Sequence, residues 1–521
     1  MECSGPGCGR SGEKRCLRGL GESPHHKMEC AGCAESGERR LACERQPFFK
    51  ATFLFALLIS VGDATSSPRG ANTWYSWLGP SNESATLLAA SYMRDNLLRF
   101  GYSSYTLDEG WAESNGNLLL DANGLPVWNS ALYPSGLPAL AADLKSMGLQ
   151  LGVWLMRGIP REAVERKLPI AGTPYTCDQA VRYDRNCSWN SHTYGSNGSP
   201  AADAYYAALA AKVEGWGVSF VKFDCLWPHL YEGSPQTYFN EDVVGVAKAI
   251  KPTGLTLSMS PGISVSPQNA TLIAQGTLAT MYRIAEDVLD VYNSSPDGTF
   301  PQGVHQKFAK ALEYEHYLGS NGTWPDFDML QVGEVVKGYG RSFLPPSETR
   351  LTPAEQQAEF SLFCFTGVPL IIGGLLPLAS SSNGTRTLSL LTQAELLTVH
   401  NSSSARKSFK PTPSPLYPGA ELYGWANTPV GASGARFVGV FSAGNASLGQ
   451  VEAAVRFSED AGLQGLSSAC VRDMVTGEWE EPVGGDVGQG QVGLFTSIDP
   501  HGSRSLLITE VGSEVCRAGL K

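Results

Sequence analysis

A chain of 521 residues exceeds what one compact core usually fills, since single cores stop growing near ~250–300 residues. Its formal net charge of −11 and pI near 5.3 argue against nucleic acid as a partner, which requires a basic surface. With 42% apolar and 17% charged residues, most of the chain is expected to fold, and 58 glycines with 32 prolines imply many turns.

Residues 1–64 differ from the rest and read as a leader. Phe53-Leu-Phe-Ala-Leu-Leu-Ile-Ser-Val61 is an apolar run preceded by Lys50 and followed by the small residues Gly62 and Ala64. It is shorter than the ~20 residues of a bilayer span, so a cleaved secretory signal is expected rather than a stable membrane span. An uncleaved anchor is the alternative. Met1-Glu-Cys-Ser-Gly and Met28-Glu-Cys-Ala-Gly open two similar stretches, a local duplication in which Met28 would be the working start. Six of the twelve cysteines lie in this leader, where Cys30-x-x-Cys33 lacks the second half of a zinc site. Among the others, Cys177 with Cys187 is expected as a loop disulfide, and Cys470 with Cys516 as a second. Sequons at Asn82, Asn186, Asn197, Asn269, Asn293, Asn321, Asn383, Asn401 and Asn445 fit a secretory route.

From about Asn72 to Ser403, helical stretches alternate with strand-like runs. A helix is predicted over 85–100 from the one-turn spacing of Ala89, Met93 and Leu97, followed by a strand over Tyr102 to Asp108. Leu140, Leu144 and Met147 share a helical face that Gly148 ends, ahead of the strand-like Leu149 to Met156. Leu209, Val213 and Trp216 repeat the pattern, with Gly217 as the stop before Val218 to Asp224. Later strand candidates are Gly254 to Met259, Ala279 to Ile284 and Val368 to Ile372. Helix, glycine stop and strand in repetition signal parallel α/β architecture. A (β/α)8 TIM barrel, placed at 65–405, fits better than a doubly wound sheet because polar residues close several strands rather than one switch point. No Gly-x-Gly-x-x-Gly turn opens a helix, which counts against dinucleotide binding. Past Pro411 the chain reads as short strands between glycine-rich turns: Leu422 to Trp425, Ala435 to Phe441, Val451 to Phe457, Val492 to Phe495 and Ser505 to Ile508. These predict an antiparallel β-sandwich over 411–521, with Pro411-Thr-Pro-Ser-Pro415 as the junction.

Asp224, closing Gly217-Val-Ser-Phe-Val-Lys-Phe-Asp224, and Asp287, closing Met281-Tyr-Arg-Ile-Ala-Glu-Asp287, are the leading candidates for chemistry. In a barrel such strand ends deliver side chains to one face, and two carboxyl groups facing one pocket suit glycosidic bond cleavage. Alternation puts Lys222 beside Asp224, and a neighbouring cation favours the charged carboxylate that a nucleophile requires. Asp287 would have to carry a proton for a leaving oxygen, so its surroundings must raise its pKa. The same pairs, Lys222 with Asp224 and Arg283 with Asp287, also fit ordinary ion pairs, and Glu286 and Asp290 are neighbouring candidates. Asp108 and Glu109 would accept hydrogen bonds from paired sugar hydroxyls or cap the next helix. Trp74 and Trp77 would form a stacking wall or pack beneath the barrel, and Trp324-Pro-Asp-Phe-Asp328 adds two acids on one face. Cys225 reads as a packing group rather than a nucleophile. The absence of His-Glu-x-x-His, Gly-x-Ser-x-Gly and P-loop motifs sets aside zinc proteases, serine esterases and NTPases.

In order along the chain, Trp74-Tyr-Ser-Trp77, Gly101-Tyr102 with Leu107-Asp-Glu-Gly-Trp111, and Gly217 to Asp224 resemble segments of the melibiase (α-galactosidase) family of retaining glycoside hydrolases. Tyr282 to Asp287, Trp324 to Leu330 and Gly367-Val-Pro-Leu-Ile371 continue the resemblance. It implies a (β/α)8 barrel with a C-terminal antiparallel domain, Asp224 as nucleophile and Asp287 as acid/base. Trp77, Asp108, Glu109, Trp154, Lys222, Arg283 and Asp328 fall where the family contacts its sugar, and no metal or organic cofactor is implied. The substrate implied is a galactose-containing oligosaccharide or glycoconjugate, met in a secreted or vacuolar/lysosomal setting. The chain departs from the family at Glu109, where a shorter Asp is usual, and in a long insert from Met156 to Ser199. Ser260 lies near the position that separates galactose from N-acetylgalactosamine and leaves room for the N-acetyl group.

Overall fold

Eight short parallel strands follow one another around a single sheet: β1 (Arg69–Asn72), β2 (Ser104–Leu107), β3 (Gln150–Met156), β4 (Phe220–Asp224), β5 (Thr256–Ser260), β6 (Met281–Arg283), β7 (Trp324–Asp326) and β8 (Leu370–Ile372). Each of β2 to β7 pairs with its predecessor, and β8 pairs with β1. Beyond β7, Leu330 joins the opposite edge: its N–H donates to the Ile371 carbonyl (2.8 Å), and its carbonyl accepts from Gly373 N–H (3.0 Å). A parallel sheet curled until its edges meet is TIM-barrel-like. The computed structural model describes residues 67–77, 81–187, 189–226, 240–260, 273, 277–293, 302–318, 322–337, 344–444, 446–488 and 490–519. The leader with its signal-like run, and the sequons at Asn269, Asn321 and Asn445, lie outside them.

Helices α1 (Glu83–Asn96), α2 (Leu137–Ser146), α3 (Pro200–Gly215), α4 (Asn240–Ile250), α5 (Val304–Glu313) and α6 (Pro353–Thr366) cross between strands. Their starts follow local chemistry. Asn82 accepts from Ala85 N–H at α1, and Thr352 with Glu355 forms a capping box at α6, with Pro353 in its first turn. After α2 and α3 the chain turns at Gly148 (φ 80°) and Gly217 (φ 81°), left-handed positions that side chains with a Cβ resist. Helix α1 ends at Asn96, and residues 98–100 of the predicted helix form a 3-10 turn instead.

Strand alternation divides β4 between two environments. Val221 and Phe223 join the main core under the helices, whereas Phe220 and Lys222 point into the barrel. Trp111, Trp128 and Trp216 pack edge to face, with ring centroids 5.9 and 5.4 Å from Trp216; Trp111 is in the core and the other two, half-buried, pack against it.

C-terminal to the barrel, a six-stranded antiparallel sheet takes the order Ser403–Phe409, Leu422–Pro429, Ala435–Ser442, Ser503–Glu510, Ala469–Asp473, Trp479–Val483. A four-stranded sheet contains Thr412–Pro413, Val451–Arg456, Val492–Ile498 and Gly485–Asp486. Both contribute to one apolar cluster, Val438, Val440, Leu506 and Ile508 from the first and Val451, Ala453, Val455 and Leu494 from the second. Among the described residues no helix is long and apolar enough to cross a membrane.

Candidate active site

A cavity inside the barrel is lined by Asn72, Lys222, Ser258, Ser260, Arg283, Asp326 and Asp328. Its apolar floor comes from Phe220, Met281, Met329 and Ile371, which cluster with Tyr75. At the end of β4, Asp224 Oδ1 accepts from the Cys225 N–H (2.7 Å) and Oδ2 from the Trp154 indole N–H (3.0 Å). Lys222 Nζ lies 4.0 Å from Asp224 and 2.8 Å from Asp108 Oδ2, an oxygen that also accepts from Asn72 Nδ2 at 2.8 Å. Across the barrel, Arg283 Nη1 contacts Asp287 Oδ1 at 2.7 Å and Asp328 Oδ1 at 3.8 Å. Asp328 Oδ2 accepts from the Tyr75 hydroxyl and the Val288 N–H, both at 2.9 Å, and its left-handed backbone (φ 69°) turns it inward.

Two buried cations therefore stand among five carboxylates. Burial disfavours charge on Lys222, but Asp108 and Asp224 outweigh it and lift the ammonium above the usual lysine range. For Arg283 burial is likewise outweighed, by Asp287, Asp328 and Asp224 in that order, so the guanidinium stays charged. Arg283 is thus a shared electrostatic neighbour of Asp224 and Asp287. The same contact qualifies the sequence expectation for Asp287: a cation at 2.7 Å favours the charged carboxylate, against the bias a proton donor needs.

Two other acids are pushed toward the protonated form. Burial first, then Glu113, Asp108 and Asp224, push Glu109 up to about 8 from an ordinary 4.5, despite a hydrogen bond from Asn190 Nδ2 (2.9 Å). Burial and Asp328 push Asp326 up to about 7. A raised folded-state pKa means that the native state binds protons the unfolded chain has released, so this contribution to stability is complete below the unfolded value and lost as pH climbs through the folded one. Thermal midpoints should therefore fall between pH ~4.5 and ~8, and Glu109→Gln should flatten the upper part of that fall. An unchanged slope in the variant would contradict the assignment.

Of the sequence candidates, Asp108, Glu109, Trp154, Lys222, Asp224, Arg283, Asp287 and Asp328 are joined by these direct or electrostatic contacts. Trp77 follows the 3-10 turn Trp74–Ser76 beyond β1 and is half-buried. Asp290 belongs to a separate buried ion pair with Lys337 (2.5 Å) and Arg350 (2.6 Å). Asn72, Tyr75 and Asn190 were not anticipated, and their partners Asp108, Asp328 and Glu109 lie 36, 253 and 81 residues away in sequence. The expected Cys177–Cys187 disulfide is corrected. Cys187 bonds to Cys225, the residue after Asp224, while Cys177 is a buried free thiol at the start of a 3-10 turn. Cys225 is therefore a cross-link rather than a packing group, with a left-handed backbone (φ 59°). The pairing of Cys470 with Cys516 agrees with expectation. Peptide mapping without reduction should recover Cys187 linked to Cys225 and Cys177 free. In the chain-entropy limit, closing a 38-residue separation stabilises by about 4 kcal/mol, so Cys187→Ser should lower the thermal midpoint clearly. A Cys177–Cys187 peptide would refute this pairing.

A barrel whose strand ends carry acids into one polar cavity is the arrangement that glycoside hydrolases use. No family model matches the sequence. The chain is similar to an α-galactosidase of Cyamopsis tetragonoloba, 26% identical over 318 residues, covering 60% of this chain and 59% of that protein. It is 24% identical to α-galactosidase D of Emericella nidulans over 328 residues, 61% of this chain and 40% of the other. The matched part spans less than half the length of the first fungal relatives, 44% in each case. Among solved structures, a GH27 β-L-arabinopyranosidase from Geobacillus stearothermophilus superposes with a TM-score of 0.74 at 26% identity, covering 87% of this chain and 98% of that one. α-Galactosidase I from Mortierella vinacea shares the fold with a TM-score of 0.63 at 16% identity, covering 86% and 98%. These relatives and this barrel support assignment to the α-galactosidase (melibiase) family.

Proposed function

We propose that this chain is a retaining exo-glycosidase that removes terminal α-D-galactosyl residues from oligosaccharides or glycoconjugates. One observation carries the reading: Asp224 and Asp287 both act on Arg283, which lines the polar cavity inside the barrel. In the first step an Asp224 oxygen attacks the anomeric carbon while the bond to the leaving oxygen breaks and Asp287 supplies its proton. In the second, Asp287 takes a proton from water, which displaces Asp224 and releases the sugar with its α configuration retained. A retaining pair needs its carboxyl groups ~5–5.5 Å apart. The indole N–H of Trp154 and the N–H of Cys225 aim the Asp224 oxygens, and Lys222 sits beside them. Asp287 meets a cation in the free protein, so this reading requires it to gain its proton once the sugar is bound. Trp77, Asp108, Glu109, Trp154, Lys222, Arg283 and Asp328 hold the sugar. The C-terminal sheets are read as a β-sandwich, and the secretory route as leading outside the cell or to a vacuole or lysosome.

A second reading is cleavage of β-L-arabinopyranosides. It is supported by the arabinopyranosidase neighbour and by Glu109, one methylene longer than the usual Asp and so better suited to a smaller sugar such as L-arabinopyranose, which lacks the hydroxymethyl group of galactose. Ser260, small and buried beside Asp224 in register, keeps α-N-acetylgalactosaminide in the comparison. Parallel assays with aryl α-galactoside, α-N-acetylgalactosaminide and β-L-arabinopyranoside decide among them, with the α-galactoside expected to be fastest. Silence toward all three would favour a non-catalytic sugar-binding protein.

A further inference from the structure

The insert between β3 and α3 is tied to the candidate site at three closely spaced points. Cys187 is bonded to Cys225, next to Asp224, and this disulfide packs in a small buried cluster with Trp154 and Met156. Asn190 Nδ2 donates to Glu109 at 2.9 Å. Between them, Trp189 sets its ring 6.5 Å from that of Trp154, with the planes 48° apart. Trp154 is the residue whose indole N–H holds Asp224.

Trp189 is nevertheless 42% exposed, a large aromatic surface presented to solvent while both its chain neighbourhoods are anchored. Leaving an indole open costs hydrophobic stabilisation that packing inward would recover. A rigid aromatic face beside a polar cavity is how proteins hold the apolar face of a ring-shaped ligand whose polar edge is bonded elsewhere. Trp154 itself is buried and committed to Asp224, so the outer ring is the one left for the part of a substrate beyond the cleaved bond.

The geometry points to Trp189 as the platform for the leaving group: a pyranose ring bonded to the cleaved sugar stacks on its exposed face. This rests on the glycosidase reading above, and deepens it by assigning selectivity for a sugar aglycone to the insert. Trp189 takes no part in bond cleavage, so its effect depends on what the leaving group is.

The test compares α-galactosyl fluoride, whose leaving group has no ring, with an α-1,6-galactosyl glucose disaccharide, in wild type, Trp189→Ala and Trp189→Phe. Trp189→Ala should lose about tenfold in kcat/KM on the disaccharide, mostly through KM, in keeping with the worth of one aromatic stacking contact. It should stay within about twofold of wild type on the fluoride, and Trp189→Phe should recover much of the loss. Equal losses on both substrates would mark a merely structural role, and no loss on either would leave the platform without function. Either result overturns the proposal while sparing the hydrolase reading. A wild-type chain inactive on both substrates overturns the hydrolase reading and the platform with it.

Discussion

Asp224→Ala should reduce kcat by at least ~10⁴-fold on every substrate the wild type hydrolyses, because in the proposed mechanism this carboxylate forms the covalent bond to the sugar. The surroundings explain why the loss should be chemical rather than structural. Lys222 retains its 2.8 Å contact with Asp108, so removing Asp224 does not strand a buried cation. Arg283 likewise keeps Asp287 and Asp328. The released donors are the Trp154 indole N–H and the Cys225 N–H, two neutral groups that a water filling the space of the lost carboxylate can satisfy. The thermal midpoint of the variant should therefore stay near that of wild type while turnover vanishes. Undiminished kcat would remove Asp224 from the chemistry.

Asp287→Asn separates the two steps. The amide keeps the shape of the carboxyl group but gives up its exchangeable acid, so substrates with sugar leaving groups should slow by ~10²–10⁴-fold. Leaving groups that need no proton, such as fluoride, should be affected far less in the first step. The pH profile should change with it, losing the limb set by Asp287. Because the substitution also removes the negative partner 2.7 Å from Arg283, the variant measures whether that ion pair is only structural. A uniform loss across leaving groups, with the pH profile unchanged, would give Asp287 a structural role and direct attention to Asp326, whose proton is retained up to about 7.

Much of this architecture is legible in the residues themselves. The run from Val218 to Asp224 announces a strand through its β-branched and aromatic content, and Gly148 and Gly217 mark the turns ahead of β3 and β4. Lys222 and Asp224 fall on one face because strand alternation leaves no other choice. Strand β7 is less visible, since Trp-Pro-Asp contains no β-branched residue and a proline that cannot donate, yet Pro325 pairs in register with Tyr282. Ser403–Phe409 is similarly hidden, being a polar strand at the edge of its sheet. Within the site, the acids on strand ends could be read from sequence, but the groups that orient them could not. Tyr75 meets Asp328 and Asn190 meets Glu109 only after the barrel closes and the insert folds back. The Cys187–Cys225 bond is of the same kind: short sequence distance favoured Cys177, whereas the fold carries Cys187 to the end of β4. Local pattern thus specifies which faces exist, and closure of the sheet specifies which side chains meet across them.

The decisive measurement is covalent capture of the sugar. Incubation with an activated 2-fluoro galactosyl reagent, followed by proteolysis and mass mapping, should add one fluorosugar to the peptide containing Phe223-Asp224-Cys225, with the modification on Asp224. Label on any other carboxylate, or steady hydrolysis with no covalent adduct at all, would contradict a mechanism in which Asp224 holds the glycosyl group between its two transfers.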